Sequence, residues 1–150
     1  MKATISLSLL LTCLAYSCLA IPNGCQLIKE PICKEIYNYT KFPYHEDQRM
    51  AKLEIDQHIL LVKYVKLLNR AWYEKLRFFL CTLYFPICST MNEPVRPCQS
   101  TCEEARAIAE PIIKRISNQT WPRDLSCDKF PIYEIAMCIK QSSITTGMII

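Results

Sequence analysis

Cysteine content constrains this chain more than any other feature of its sequence. Ten cysteines occur in 150 residues, and two of them, Cys13 and Cys18, lie in the apolar N-terminal segment. Eight remain beyond that segment, namely Cys25, Cys33, Cys81, Cys88, Cys98, Cys102, Cys127 and Cys138. An even number of cysteines in a chain of this size predicts a domain stapled by disulfides in an oxidising compartment. The spacing alone leaves the pairing of these cysteines open.

The N-terminal segment predicts a secretory signal peptide over residues 1–20. Lys2 supplies a positive start, residues 5–15 form an apolar stretch, and the small residues within 17–20 fit a cleavage site. This stretch is shorter than the roughly 20 residues of a membrane-spanning helix, and no second stretch of this kind follows. We therefore expect a secreted, extracellular protein that does not span the membrane.

Two N-glycosylation triplets support secretion. They begin at Asn38 and Asn118, and the enzyme that recognises them acts only on chains in the secretory pathway. Removal of the signal peptide leaves about 130 residues, a length that can bury a core of its own. We expect one domain over residues 21–150, with its cysteine-bearing core at 25–138.

Charge and residue counts argue against several functions. The formal net charge is +4, and basic residues alternate with acidic ones instead of forming a stripe, so nucleic-acid binding has no support. A Cys-His catalytic pair would need a free thiolate, but all eight cysteines can pair, and His45 and His58 are the only histidines. Cys98 and Cys102 resemble half of a zinc site without a second close pair. We expect a binding protein with no catalytic residues, no metal site and no cofactor.

The segment between Pro43 and Pro86 lacks proline and glycine and predicts the longest helical region. Acidic residues at 46 and 47 lie where a helix N-terminus attracts negative charge. Apolar residues then recur at helical spacing, at Leu61, Val65, Leu68 and Trp72. This pattern predicts an amphipathic helix that faces a core and a break near Trp72. A more deeply buried second helix is expected through residues 76–81, and Pro86 ends it.

A third helix is predicted after Pro97, where residues 100–103, Ser-Thr-Cys-Glu, match a capping box. We expect this helix to continue towards Ile116 with a kink or a break at Pro111, because proline lacks an amide hydrogen. Residues 26–39 are rich in β-branched and aromatic side chains and predict short strands.

Several multi-residue blocks carry a resemblance to a known family. In chain order they are Leu76-Arg77-Phe78-Phe79-Leu80-Cys81-Thr82-Leu83-Tyr84-Phe85-Pro86-Ile87-Cys88, Pro97-Cys98-Gln99-Ser100-Thr101-Cys102, Trp121-Pro122 and Phe130-Pro131. Together with the cysteine order, these blocks resemble the Frizzled-type cysteine-rich domain from Cys25 to Cys138, and they are most similar to those of the secreted Frizzled-related proteins. The resemblance implies a mainly α, disulfide-stapled fold of about four helices with short N-terminal β-strands.

The resemblance also implies a disulfide pattern. The family carries five bridges, and by our alignment two family cysteines that are bonded to each other correspond to Trp72 and Ala109. One whole bridge is therefore missing without leaving an unpaired thiol, and a large tryptophan facing a small alanine is expected to fill that space. The four bridges implied for this chain are Cys25–Cys88, Cys33–Cys81, Cys98–Cys138 and Cys102–Cys127.

Family resemblance further implies binding of a Wnt-type acylated protein, whose fatty acyl chain would lie in an apolar groove between helices. The groove positions it implies are Tyr64, Val65, Phe79 and Leu83, and Ile139 corresponds to a hydrophobic position at a second contact. The segment between Ala51 and Cys81 is longer than the family pattern, so the groove wall aligns through either His58 or Tyr64.

These features predict a secreted Wnt-binding domain, not an enzyme, that antagonises Wnt signalling by sequestering the acylated ligand. A second Frizzled-type domain is a further partner that the resemblance allows. One alternative is an extracellular protein-interaction module of the same fold that has lost lipid binding. Another is a fragment of a larger Frizzled-domain receptor.

Overall fold

Five α-helices and one two-stranded sheet make up the described part of the chain, which in this computed structural model comprises residues 24–42, 47–89 and 94–145. The strands are β1 (Gln26–Leu27) and β2 (Tyr39–Thr40). The helices are α1 (Pro31–Lys34), α2 (Gln48–Leu68), α3 (Arg70–Tyr84), α4 (Gln99–Ser117) and α5 (Gln141–Thr145), with 3-10 turns at Arg123–Leu125 and Cys127–Lys129. The expected mainly α fold with short N-terminal strands is confirmed.

The N-cap of helix α2 is Asp47, one of the two acidic residues that the sequence places before the helix. The carboxylate of Asp47 accepts hydrogen bonds from the backbone N–H groups of Arg49, at 2.9 Å, and Met50, at 3.0 Å. The helix continues for 21 residues, and the break after it falls at Asn69, three residues before Trp72. The Asn69 side chain accepts a hydrogen bond from the N–H of Trp72 at 3.1 Å. One extended residue therefore ends α2 and caps α3.

The buried face of α2 differs in part from the predicted one. Val65 is buried and Leu61 is half-buried, but Leu68 and Trp72 are exposed. The buried residues of the helix are Ala51, Ile55, Val62 and Val65. The position of the neighbouring helices determines which face is buried, and α3 and α4 both contact α2.

Helix α3 is more deeply buried than α2, as predicted. Every residue from Leu76 to Thr82 is buried, including the charged Arg77. The guanidinium of Arg77 contacts the carboxylates of Glu35 and Glu74, each at 2.6 Å. These two carboxylates compensate the cost of burying the cation.

Helix α4 does not use the predicted capping box. Its N-cap is Cys98, which makes no side-chain capping hydrogen bond. The hydroxyl of Thr101 instead donates to the carbonyl of Ile139 at 3.3 Å, so the loop that carries Ile139 is tied to the first turn of the helix. The capping-box prediction is wrong because the helix begins at Gln99, which places Ser100, the hydroxyl residue of the box, inside the first turn.

We predicted a kink or a break at Pro111, and the helix does not break there. Helix α4 passes through this residue and ends at Ser117. Its C-cap is Asn118, whose φ of 55° is left-handed. Ile112 and Ile113, next to Pro111, pack against the core. Their burial outweighs the one backbone hydrogen bond that proline removes.

The two strands pair antiparallel, with Gln26 opposite Thr40 and Leu27 opposite Tyr39. The buried hydroxyl of Thr40 donates to the carbonyl of Pro86 at 2.8 Å. This contact holds the sheet against the end of α3, so the expected short strands join the N-terminal segment to the helical body.

Four disulfides join these elements. The Cα atoms of each pair lie between 4.9 and 5.7 Å apart, within the range that a disulfide spans. The bonded pairs are Cys25–Cys88, Cys33–Cys81, Cys98–Cys138 and Cys102–Cys127. They are the same four pairs that the family resemblance implied.

The predicted signal peptide, with Cys13 and Cys18, lies outside the described residues, as does His45. Within the described ranges, none of the helices has the length and apolar character needed to span a bilayer.

Candidate functional site

A narrow apolar cleft opens between α2, α3, α4 and the segment around the first 3-10 turn. Its volume is about 10 Å³, close to the minimum that one water molecule needs. The residues that line it are His58, Leu61, Leu76, Leu80, Ile113, Trp121, Pro122 and Leu125. Almost all of these side chains are apolar, so the cleft suits a hydrocarbon group better than a polar one.

Trp121 lines this cleft and is held by contacts on several sides. Its ring N–H donates to the carbonyl of Leu125 at 2.7 Å, and its backbone N–H donates to the carboxylate of Glu110 at 3.2 Å. The ring also lies 6.0 Å, between centroids, from the fully buried Phe79. Glu110 is positioned in turn by Arg106, whose hydrogen bond at 2.8 Å lowers the pKa of that carboxyl group.

His58 provides the polar edge of the cleft. Its Nε2 lies 3.1 Å from the hydroxyl of Tyr84, and the two rings stack with centroids 5.9 Å apart. Burial lowers the pKa of His58, although the charges of Asp124 and Glu54 oppose this effect. Burial also raises the pKa of Tyr84 to about 12. Near neutral pH both groups are therefore uncharged, so the cleft carries no formal charge from this pair.

The residues that the resemblance implies for the acyl groove do not lie together at one surface. Tyr64 is exposed on α2, whereas Val65 and Phe79 are fully buried in the main core. Leu83 is half-buried against that core. Ile139 belongs to a separate buried cluster with Phe78 and Val95.

Two alignments of the groove wall were possible, one through His58 and one through Tyr64. Only His58 lies at the cleft. His58 lines it, and Tyr64 is 42% exposed on a different face of α2. The Trp121-Pro122 block was identified in the sequence as a family motif, and both of its residues line the cleft. Leu61 and Ile113 were missed as site residues, because only the packing of α2 beside α4 brings them together.

Trp72 and Ala109 do not form the large-to-small core pair that the sequence predicted. Ala109 is fully buried, but Trp72 remains 44% exposed. Because Asn69 is the N-cap of α3, Trp72 lies in the first turn of that helix, where its side chain reaches solvent. The expectation that tryptophan fills the space of the missing bridge is therefore wrong.

Both predicted glycosylation sites are exposed. Asn38 lies in the loop before β2, and Asn118 lies at the C-terminal end of α4. Neither asparagine is on α2. The two sites differ at their third residue, since Thr40 is fully buried and Thr120 is exposed.

Comparison with known proteins identifies relatives for most of the described chain. A family model described as the Fz domain matches residues 25–134. Secreted frizzled-related protein 4 of Macaca mulatta is 35% identical over 130 residues, which cover 83% of this chain and 36% of that protein. Secreted frizzled-related protein 3 of Gallus gallus is 38% identical over 130 residues, covering 83% and 39%.

One solved structure is also similar, a crystal structure of the Smoothened CRD. It has a TM-score of 0.48 and 22% identity, and the match covers 70% of this chain and 87% of that one. The chain spans little more than a third of the length of the two curated relatives above.

Proposed function

The chain belongs to the Fz domain family, and from this membership we propose that it is a secreted domain that binds an acylated Wnt-type ligand. Occupying the acyl chain of the ligand would keep it from membrane receptors, and the domain would thereby antagonise Wnt signalling. The observation that carries the proposal is the family match, which extends from Cys25 through every long helix to residue 134.

The cleft at Trp121 is the part of this chain that we propose for the acyl chain. Its walls are apolar side chains of α2, α3 and α4, and His58 and Tyr84 carry no formal charge near neutral pH. Each methylene buried there would contribute about 0.8 kcal/mol. The present volume of about 10 Å³ is too small for a fatty chain, so binding requires the walls of the cleft to move apart.

The small volume favours a second candidate function. A domain of the same fold whose cleft stays closed would bind an extracellular protein through its surface without using an acyl group. Full burial of Val65 and Phe79, two of the implied groove positions, supports this candidate. The two candidates differ in whether the ligand's acyl chain contributes to affinity.

Binding of the purified domain to a Wnt protein, with and without its acyl chain, separates the candidates. The proposed function predicts binding to the acylated form that falls at least about tenfold without the acyl group. Equal binding to both forms would instead support the closed-cleft module. Absence of binding to either form would overturn Wnt binding altogether.

A cleft variant and a matched control make the test specific to this site. Leu61→Glu places a charge in the cleft wall and should weaken binding to acylated Wnt, whereas Leu27→Glu changes an exposed leucine on β1 and should not. Circular dichroism checks that both variants fold.

In a cell reporter assay, the unmodified domain should reduce Wnt signalling with increasing dose, and a lack of reduction would contradict antagonism.

A further inference from the structure

His58 is the only titratable residue among the eight described residues that line the Trp121 cleft. The other seven have no group that gains or loses a proton in water. Histidine is also the side chain whose ordinary pKa lies between pH 5 and 8. A fall from neutral to mildly acidic pH therefore places a charge in the wall of this cleft, and it does so at His58.

Tyr84 holds the His58 ring in the cleft wall in either protonation state. Its hydroxyl lies 3.1 Å from Nε2 of the histidine, and the two rings stack. A phenolic hydroxyl both donates and accepts, so it donates to the nitrogen of the neutral ring and accepts from the N–H of the protonated ring. Burial raises the pKa of Tyr84 to about 12, so this hydroxyl stays uncharged. The charge of a protonated His58 is therefore located beside the apolar lining.

Two carboxylates act on His58 from exposed residues outside the cleft lining. Glu54 lies one turn earlier on α2, and Asp124 lies in the first 3-10 turn. Burial lowers the pKa of His58, and both carboxylates oppose this effect. The ammonium group of Lys129, from the second 3-10 turn, bonds to the carbonyl of Asp124 at 3.4 Å, and α4 contributes the apolar Ile113 to the cleft. The protonated ring is thus stabilised by groups in solvent and destabilised by the cleft.

We propose that His58 makes the cleft a pH-dependent site, which holds an acyl chain at neutral pH and releases it at the pH of endosomes, about 5–6. This inference rests on the proposed function, because it needs an acyl chain in the cleft. Such a chain displaces water and covers the half-buried ring with hydrocarbon. A cation covered in this way loses its hydration, so protonation of His58 and acyl binding oppose each other.

Thermodynamic linkage sets the size of the effect. A bound acyl chain lowers the pKa of His58, and the proton must weaken acyl binding by the same factor. The ordinary value of 6.5 is an upper limit for the pKa of the ring in the empty cleft, because burial lowers it. With this limit, the loss of affinity between pH 7.4 and pH 5.0 reaches at most about thirtyfold.

Binding of an acylated peptide at these two pH values tests the proposal. The probe is a short peptide with blocked ends, one fatty acyl ester and no titratable group, so only the protein titrates. Its non-acylated form is the control for binding outside the cleft. We expect the Kd of the acylated peptide for the full secreted chain to rise about three- to thirtyfold from pH 7.4 to pH 5.0. His58→Phe should reduce this rise to less than about twofold, whatever its effect on the Kd at pH 7.4.

A variant at Asp124 tests the surroundings of the ring. Asp124→Asn removes a carboxylate that favours the protonated form, so the rise in Kd at pH 5.0 should be smaller than in the natural chain. Glu103→Gln changes an exposed residue of α4 that does not line the cleft, and it should keep the pH dependence of the natural chain. A larger rise in Asp124→Asn than in the natural chain would overturn the proposal.

An NMR titration gives a second measurement, which does not depend on affinity. The imidazole signal that is absent from His58→Phe reports the pKa of His58. Adding the acylated peptide should lower this pKa, because the linkage is reciprocal. An unchanged pKa with the peptide bound would overturn the inference.

Failure of this inference is distinguishable from failure of the proposed function. Binding at pH 7.4 that is equally strong at pH 5.0, or that weakens as much in His58→Phe, would overturn the pH-dependent site and leave acyl binding intact. Absence of acyl-dependent binding at pH 7.4 would contradict acyl binding by the domain, and the pH-dependent site with it. Circular dichroism at pH 5.0 checks that each variant retains its fold.

Discussion

The hydroxyl oxygen of Tyr37 lies 2.5 Å from the carbonyl oxygen of Phe85, and 2.9 Å from that of Cys81. Its one proton is shared between two carbonyl groups at the end of α3. The carbonyl of Cys81 also accepts from the N–H of Phe85, whereas the carbonyl of Phe85 lies beyond the last helical turn. Burial raises the pKa of Tyr37, so the hydroxyl stays protonated and remains a donor. This contact ties the N-terminal segment to the most buried helix.

Tyr37→Phe should destabilise the domain by about 1–3 kcal/mol, because it removes the hydroxyl that donates to the carbonyl of the buried Phe85. Urea unfolding with the disulfides intact measures the change. Tyr133→Phe is the matched control, since Tyr133 is exposed, and its effect should stay within about 0.5 kcal/mol. Equal effects of the two variants would show that the Tyr37 hydroxyl has no special role.

A fifth disulfide should form in the double variant Trp72→Cys with Ala109→Cys. The family alignment places a bridge at these positions, and α3 and α4 are held side by side by the Lys75–Glu104 ion pair at 2.9 Å. Mass spectrometry of linked peptides detects the bond.

In the chain-entropy account, this bridge should add roughly 3–4 kcal/mol to the free energy of unfolding. Trp72→Cys alone serves as the control and should leave a thiol that reacts with a maleimide. If the double variant keeps two reactive thiols in the folded state, the alignment of Trp72 with a family cysteine is incorrect.

Stability should fall as the pH is lowered from about 7.5 to 5.5, with a contribution from His58. Burial lowers the folded-state pKa of His58 below its ordinary value of 6.5, so the unfolded chain binds more protons below that pH. The stabilisation is complete above pH 6.5 and is lost as the pH falls towards the lower folded-state pKa. One group limits the slope to about 1.4 kcal/mol per pH unit.

Urea midpoints at several pH values, for the natural chain and for His58→Gln, check this expectation. The variant should show a flatter dependence over this window. Glu110 and Asp128 have lowered pKa values, so their contributions are lost only at more acidic pH, below their ordinary values of 4.5 and 3.8. Identical slopes for the two proteins would exclude His58 as the titrating group.

The two glycosylation sites should differ in when they can be modified. Thr40, which completes the triplet of Asn38, is buried with its hydroxyl bonded to Pro86, whereas Thr120 is exposed. Asn38 should therefore be modified only before folding is complete, and Asn118 also afterwards. A reductant that delays disulfide formation in secreting cells should raise occupancy at Asn38 more than at Asn118.

Glycopeptide mass spectrometry measures both occupancies. Asn38→Gln removes the first site, and Thr120→Ala removes the second without changing the left-handed Asn118. Occupancies that respond equally to the reductant would contradict the role assigned to Thr40.

Local sequence patterns predicted the main helices and short strands, and the family motifs implied the four disulfides. A proline-free segment, an apolar block at residues 76–81 and a capping aspartate are all local features. Their effect depends on residues close together in the sequence, so they can be interpreted without the fold. The same holds for Trp121-Pro122, which was identified as a motif and lies in the cleft. The capping box predicted at Ser100–Glu103 is not used, because α4 begins one residue earlier, and no break occurs at Pro111, where core packing outweighs the local preference of proline.

The sequence by itself determined the spacing of the cysteines, the glycosylation triplets and the apolar periodicity of α2. It could not determine which face of α2 is buried, because apolar residues occur on both the buried and the exposed side of this helix. Only the packing of α3 and α4 determined that the face with Ile55 and Val62 is buried, that Tyr64 is exposed and that the cleft lies at His58. Burial depends on what packs against a residue, and that partner lies far away in the chain.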